Sequence, residues 1–180
     1  LRTFSLLNGL SVFEQTGGIV GTVCDVIITG EGNVTAMFVK GRGLIAKKYR
    51  LPIDCILAFG PDGLMIESPD DLQKLDFRLN EYTLSHHQAL IGKRTLTTEG
   101  ECLGDLEDVY FQEALGTIVG YELTDGFFAD ITKGKRVVST TCPPMIGKDA
   151  IIVSLDQMRG GLPYDEMPKL PEQGYRKDRH

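Results

Sequence analysis

The sequence predicts an all-β protein of two tandem small antiparallel β-barrels joined by a short, partly helical linker, on three observations. Glycine is abundant at 21 residues, and Gly pairs and Pro interrupt the chain at the spacing of short strands joined by turns. Helix-forming alanine is scarce. The chain also contains one pattern twice, and a period of this kind reports a repeated structural unit.

The stretch LNGLSVFEQTGGIVGTVCDVII (7–28) lies over LIGKRTLTTEGECLGDLEDVYF (90–111) without a gap. It matches Gly9 to Gly92, Gly17 to Gly100, Gly21 to Gly104, Asp25 to Asp108 and Val26 to Val109. After a one-residue insertion GNVTAMFV (32–39) lies over GTIVGYEL (116–123). Further on, LPIDCILAFGPDGLMIE (51–67) lies over VSTTCPPMIGKDAIIVS (138–154), pairing Cys55 with Cys142, Gly60 with Gly147 and Asp62 with Asp149.

Turn chemistry divides the first copy into strands. A short strand at Val12–Phe13 turns at Thr16-Gly17-Gly18 into a long strand at Val20–Ile28 with two apolar faces. Gly30-Glu31-Gly32-Asn33 makes the hairpin into Val34–Val39, and Arg50–Ile53 resumes extended structure. Gly60-Pro61-Asp62-Gly63 joins Ile56–Phe59 to Leu64–Glu67, because Pro pre-sets φ and Gly accepts positive φ. Apolar residues on both faces of the longest strand predict closure into a barrel, which also removes exposed edges. In SPDDLQKL, Ser68 reads as an N-cap with Pro69 at the first helical position and Asp70 and Asp71 at the positive helix end. The expected boundaries are a first barrel at 5–68, a linker at 69–87, a second barrel at 88–156 and an extended or disordered tail at 157–180. Asp25 and Asp108 are expected to bond turn amides and fix strand ends.

This ordered pattern resembles the PRC-barrel family, the module shared by the H polypeptide of the photosynthetic reaction centre and the C-terminal part of a bacterial ribosome maturation factor. The first copy carries it at Leu7, Gly9, Val12, Gly17, Gly21, Val23, Asp25, Val26, Gly32, Val34, Val39, Leu51, Pro52, Ile53, Asp54, Ile56, Gly60, Asp62, Leu64 and Ile66. The second matches at Leu90, Gly92, Gly100, Gly104, Asp108, Val109 and Gly116, then departs where VSTTCPPM replaces LPIDCILA, which predicts a looser final hairpin. The resemblance implies a bacterial, non-enzymatic docking or adaptor protein, working by protein–protein interaction in RNA processing or ribosome assembly. It brings no catalytic residues. A membrane-peripheral scaffold of an electron-transfer complex is the second reading, which a transmembrane helix in any segment preceding Leu1 would favour. A small hydrolase is a minor third.

Charge points to where a partner would meet the chain. Net charge is -6 overall, distributed as -1 over residues 1–79, -6 over 80–156 and +1 over 157–180. The acidic middle repels nucleic acid. Within VKGRGLIAKKYR, however, Lys40, Arg42, Lys47, Lys48 and Arg50 gather with no carboxylate among them. Three readings stay open for this partner-binding candidate: an edge facing ribosomal RNA, an edge facing an acidic protein, and a hairpin whose lysines block sheet-to-sheet pairing. Gly41-Arg42-Gly43-Leu44-Ile45-Ala46 also fits G-x-G-x-x-A, but Pro52 and the extended Arg50–Ile53 segment leave no room for the helix a dinucleotide site needs. In the second copy Phe127 and Phe128 place adjacent aromatics at an expected loop tip and are candidate contact residues, between barrels or to a partner.

No cofactor or metal site is expected. His86-His87 reads as solvated linker, and the acidic residues Glu99, Glu101, Asp105, Glu107 and Asp108 lack calcium-loop spacing and read as a solvated face. Cys24, Cys55, Cys102 and Cys142 never fall in Cys-x-x-Cys spacing and read as small buried hydrophobes of a reducing compartment. With no apolar run near the ~20 residues of a membrane span, the expected location is the cytoplasm.

Overall fold

The computed structural model describes residues 2–43, 46–124, 136–139 and 142–154. β1 (Arg2–Thr3) and one helical turn, α1 (Phe4–Leu7), precede β2 (Ser11–Glu14), the long β3 (Ile19–Thr29), β4 (Val34–Gly41) and β5 (Lys48–Pro52). A 3-10 turn at Ile53–Cys55 leads into the hairpin of β6 (Ile56–Phe59) and β7 (Gly63–Ile66). A second 3-10 turn, Pro69–Asp71, is capped by Ser68 in a capping box with Asp71, as the Ser-Pro-Asp-Asp pattern predicts, although it stops after one turn. β8 (Gln73–Lys74) and β9 (Glu81–Thr83) follow. The second copy then runs through β10 (Arg94–Thr97), β11 (Cys102–Phe111), β12 (Ile118–Thr124), β13 (Arg136–Ser139), β14 (Met145–Ile146) and β15 (Ala150–Val153).

The class is all-β, and the two copies build matching sheets. One runs β6-β7-β2-β3-β4-β5-β8 and the other β13-β12-β11-β10-β15-β14. In each, the first strand of the copy pairs in parallel with its last, β2 with β7 and β10 with β15. Both ladders are paths with two ends, so the hydrogen-bonded barrel closure expected from the apolar patterning is not seen among the described residues. The second apolar face of β3 has a different cover: Ile27, Ala36 and Phe38 form a small cluster against Leu75 and Phe77 of the linker. The looser final hairpin of the second copy is visible in β14, two residues long against four in β6, with Met145 exposed.

The linker is also more than a connector. β8 pairs with β5, and β9 pairs with β3, so two pieces of it extend the first sheet. In the opposite direction β1, which precedes the first copy, pairs with β11 of the second. One main core runs through both copies, from Leu7, Val12, Met37 and Leu64 to Leu90, Leu106, Phe111 and Ile151.

Candidate functional site

The β4–β5 hairpin places the basic stretch. Lys40 lies directly opposite Lys48 in its register, and like charges so placed repel. Lys48 relieves part of this by holding its ammonium 5.3 Å from the centre of the Phe38 ring. Lys40, Arg42, Lys47 and Lys48 are exposed or half-exposed, and Arg42 donates only a long bond of 3.4 Å to the carbonyl of Ile19. None of these four forms an ion pair among the described residues.

Arg50 is different. Its guanidinium engages both carboxylate oxygens of Glu81 on β9, one at 2.9 Å, and donates to the carbonyl of Asp76 at 2.6 Å. Glu81 is buried, which pushes its carboxyl up, but the Arg50 guanidinium and the N–H of Arg78 outweigh this and hold it below the usual carboxylate range. Arg50 is thus spent on fastening the linker to the first sheet. A folded-state value below the unfolded one means that the pair stabilises fully above about pH 4.3 and loses its contribution as pH falls through the depressed value. Arg50→Gln is expected to cost about 2–3 kcal/mol at neutral pH and to flatten this acid slope, read from urea unfolding at pH 7 and at pH 3.5.

Gly41 closes β4 and β5 opens at Lys48, which leaves no room for the helix that a dinucleotide fingerprint requires after its glycines. Phe127 and Phe128 lie outside the described residues. The open groove beside β5 is lined by Arg50, Arg78, Glu31, Asp54 and Glu81 among others and includes no histidine, serine or cysteine. Cys24 and Cys55 are half-buried, as expected of small hydrophobes, whereas Cys102 and Cys142 are exposed. Burial pushes both half-buried thiols up, aided by Asp25 at Cys24 and by Asp54 at Cys55, so neither is an activated nucleophile.

The repeated aspartates hold the most developed polar geometry, and they act at long range rather than on local turns alone. Asp25 is fully buried and accepts from the amides of Val26 at 2.8 Å, Leu84 at 2.9 Å and Ser85 at 2.8 Å, and its Oδ2 lies 2.7 Å from His86 Nδ1. Asp108, expected on a solvated face, is also buried; it accepts from Val109 at 2.7 Å and from Phe4 and Ser5 at 3.0 Å each. Both follow a β-bulge, at Cys24 and at Glu107, which re-aims the side chain toward these amides. The histidines are packed: the His86 ring meets Phe38 edge-on at 5.0 Å, and His87 stacks on Phe77 at 4.0 Å. A carboxylate inside a strand that reads apolar on both faces was the available signal, since a buried charge needs donors.

Comparison with known proteins agrees with this architecture. The PRC-barrel domain family matches residues 2–73, the stretch that contains the first copy. The uncharacterized protein YrrD of Bacillus subtilis (strain 168) is 29% identical over 156 residues, which cover 86% of this chain and 88% of that protein. A match of that length includes residues of both copies. Among the described residues no helix is long and apolar enough to cross a membrane, and no group of side chains is arranged to hold a metal ion.

Proposed function

We propose that the protein is a non-enzymatic docking module of the cytoplasm, two PRC-barrel units in tandem, whose β4–β5 edge meets a polyanionic partner in RNA processing or ribosome assembly. The carrying observation is the opposed Lys40–Lys48 pair with Arg42 and Lys47 beside it, solvent-accessible and without carboxylate partners among the described residues. Such a cluster is electrostatically unfavourable in the free protein and is relieved by phosphates or carboxylates arriving from outside. An acidic protein surface supplies the same relief and is the second reading, favoured by the match of residues 2–73 to an interaction-module family.

Capture from a bacterial lysate, with and without nuclease, tests both. For RNA, retained ribosomal components should disappear on nuclease treatment. Lys40→Glu with Lys47→Glu should weaken binding at least tenfold, and the slope of affinity against salt should fall by about the number of phosphates released. A defined partner that survives nuclease but is lost on charge reversal would establish the protein-facing reading. Binding indifferent to charge reversal would return the lysines to guarding a hairpin, and co-purification with a membrane electron-transfer complex would favour the scaffold reading.

A further inference from the structure

The two copies touch in a way that the repeat alone does not announce. Asn33 forms an antiparallel bridge with Thr117, and these two residues occupy the same position in their respective copies. Around that bridge the hydrogen bonds are reciprocal: Val34 N donates to Gly116 O at 2.7 Å, and Ile118 N donates to Gly32 O at 3.2 Å. A residue paired with its own counterpart marks a twofold axis, here an approximate one internal to a single chain.

The same symmetry governs the exchanged strands. Arg2 and Thr3 pair with Phe111 and Tyr110, while Tyr82 and Thr83 pair with Ile28 and Ile27. Ile27 and Ile28 align with Tyr110 and Phe111 in the repeat, so Thr3-Phe4-Ser5 and Thr83-Leu84-Ser85 are equivalent lead-in segments, each laid on the long strand of the other copy. Each segment is then gripped at the same two amides, Phe4 and Ser5 by Asp108, Leu84 and Ser85 by Asp25. Its apolar residue is buried, with Phe4 at 5% exposure and Leu84 at 0%. The buried carboxylates explain why the exchange is directed: an aspartate in that position lacks donors within its own copy beyond the following amide, and the lead-in segment of the other copy supplies them.

We propose that this interface is a self-recognition site: each copy carries a slot for a Thr-apolar-Ser segment, its partner is the other copy, and the two bind as an isologous pair that does not depend on the peptide link between them. Leu79 is 95% exposed in the turn that joins the halves, which makes that link accessible. The faces of β3 and β11 occupied in this way are internal contacts, and a partner of the whole protein must dock elsewhere.

The test uses the full chain with a specific protease site inserted after Leu79 and cut after folding. The two pieces should stay together, co-eluting at the position of the uncut chain down to submicromolar concentration and separating only in denaturant. Separation into two independently folded pieces would overturn the proposal. In the cut protein, Asp25→Asn and Asp108→Asn should each raise the dissociation constant of the pieces at least 100-fold, and unchanged association would remove the aspartates from the recognition. Should a variant fail to fold, the cut wild-type chain decides by itself.

Discussion

Replacing Asp25 by alanine is expected to lower the stability of the protein by about 3–5 kcal/mol, a large part of the roughly 5–15 kcal/mol typical of a folded chain. The carboxylate is fully buried and accepts from three amides and from the His86 ring, so its removal orphans the buried Val26 and Leu84 N–H groups and breaks the part-buried bond of the Ser85 N–H. Each buried, unsatisfied donor costs about 1–3 kcal/mol. Asp25→Asn should be nearly as harmful, because the carboxamide turns an N–H₂ donor toward N–H donors. Asp108→Ala should follow the same course with a slightly smaller loss, since Asp108 has the equivalent amides but no histidine. Urea midpoints at unchanged slope measure all three. A loss below about 1 kcal/mol at Asp25 would show that the amides find other partners or that water enters.

The second large effect is expected at the twofold seam. Gly116 has φ +67°, and a Cβ added there would stand 1.9 Å from the carbonyl oxygen of Val34. That oxygen belongs to backbone and cannot rotate aside, so Gly116→Ala must both strain its own conformation and part the two copies where Val34 N bonds Gly116 O. The left-handed conformation costs about 1–2 kcal/mol and the overpacking about 1–3 kcal/mol, giving about 2–5 kcal/mol together. Gly92 provides the control: its φ is +82°, yet a Cβ there meets nothing within 4 Å. Gly92→Ala should therefore carry only the conformational part, and the difference between the two variants isolates the seam. Equal losses would mean that the copies are not held together at Gly116.

Much of the fold was legible in residues that repeat. Matched glycines and the Gly-Pro-Asp-Gly turn located the hairpins, and predicted strands such as Val20–Ile28 and Ile56–Phe59 fall within one residue of β3 and β6. The two apolar faces of β3 that led to the barrel expectation were also real, and each needs a cover. Leu75 and Phe77 of the linker provide one of them, and periodicity does not distinguish a linker from a closing strand.

The exchange was hidden for a definite reason. Thr3-Phe4-Ser5 and Thr83-Leu84-Ser85 fall out of the ungapped alignment, because the second copy carries three extra residues between its serine and the leucine that matches Leu7. His86 and His87 lie in that excursion, where Gln88 takes a positive φ of 46°; their rings lie against Phe38 and Phe77, while the His86 side chain stays 40% exposed, as expected of a solvated linker. The basic stretch shows the same limit of local reading. Its charge was plain, whereas the withdrawal of Arg50 into an ion pair depends on Glu81, 31 residues away.

Completion of each copy by the other is read from amide hydrogen exchange at Phe4, Ser5, Leu84 and Ser85. These four amides bond to aspartates of the opposite copy. They should exchange as slowly as Val26 and Val109 in the strand interiors, through the same global opening. Rapid exchange at the four while Val26 and Val109 remain protected would instead show two units that hold their structure separately.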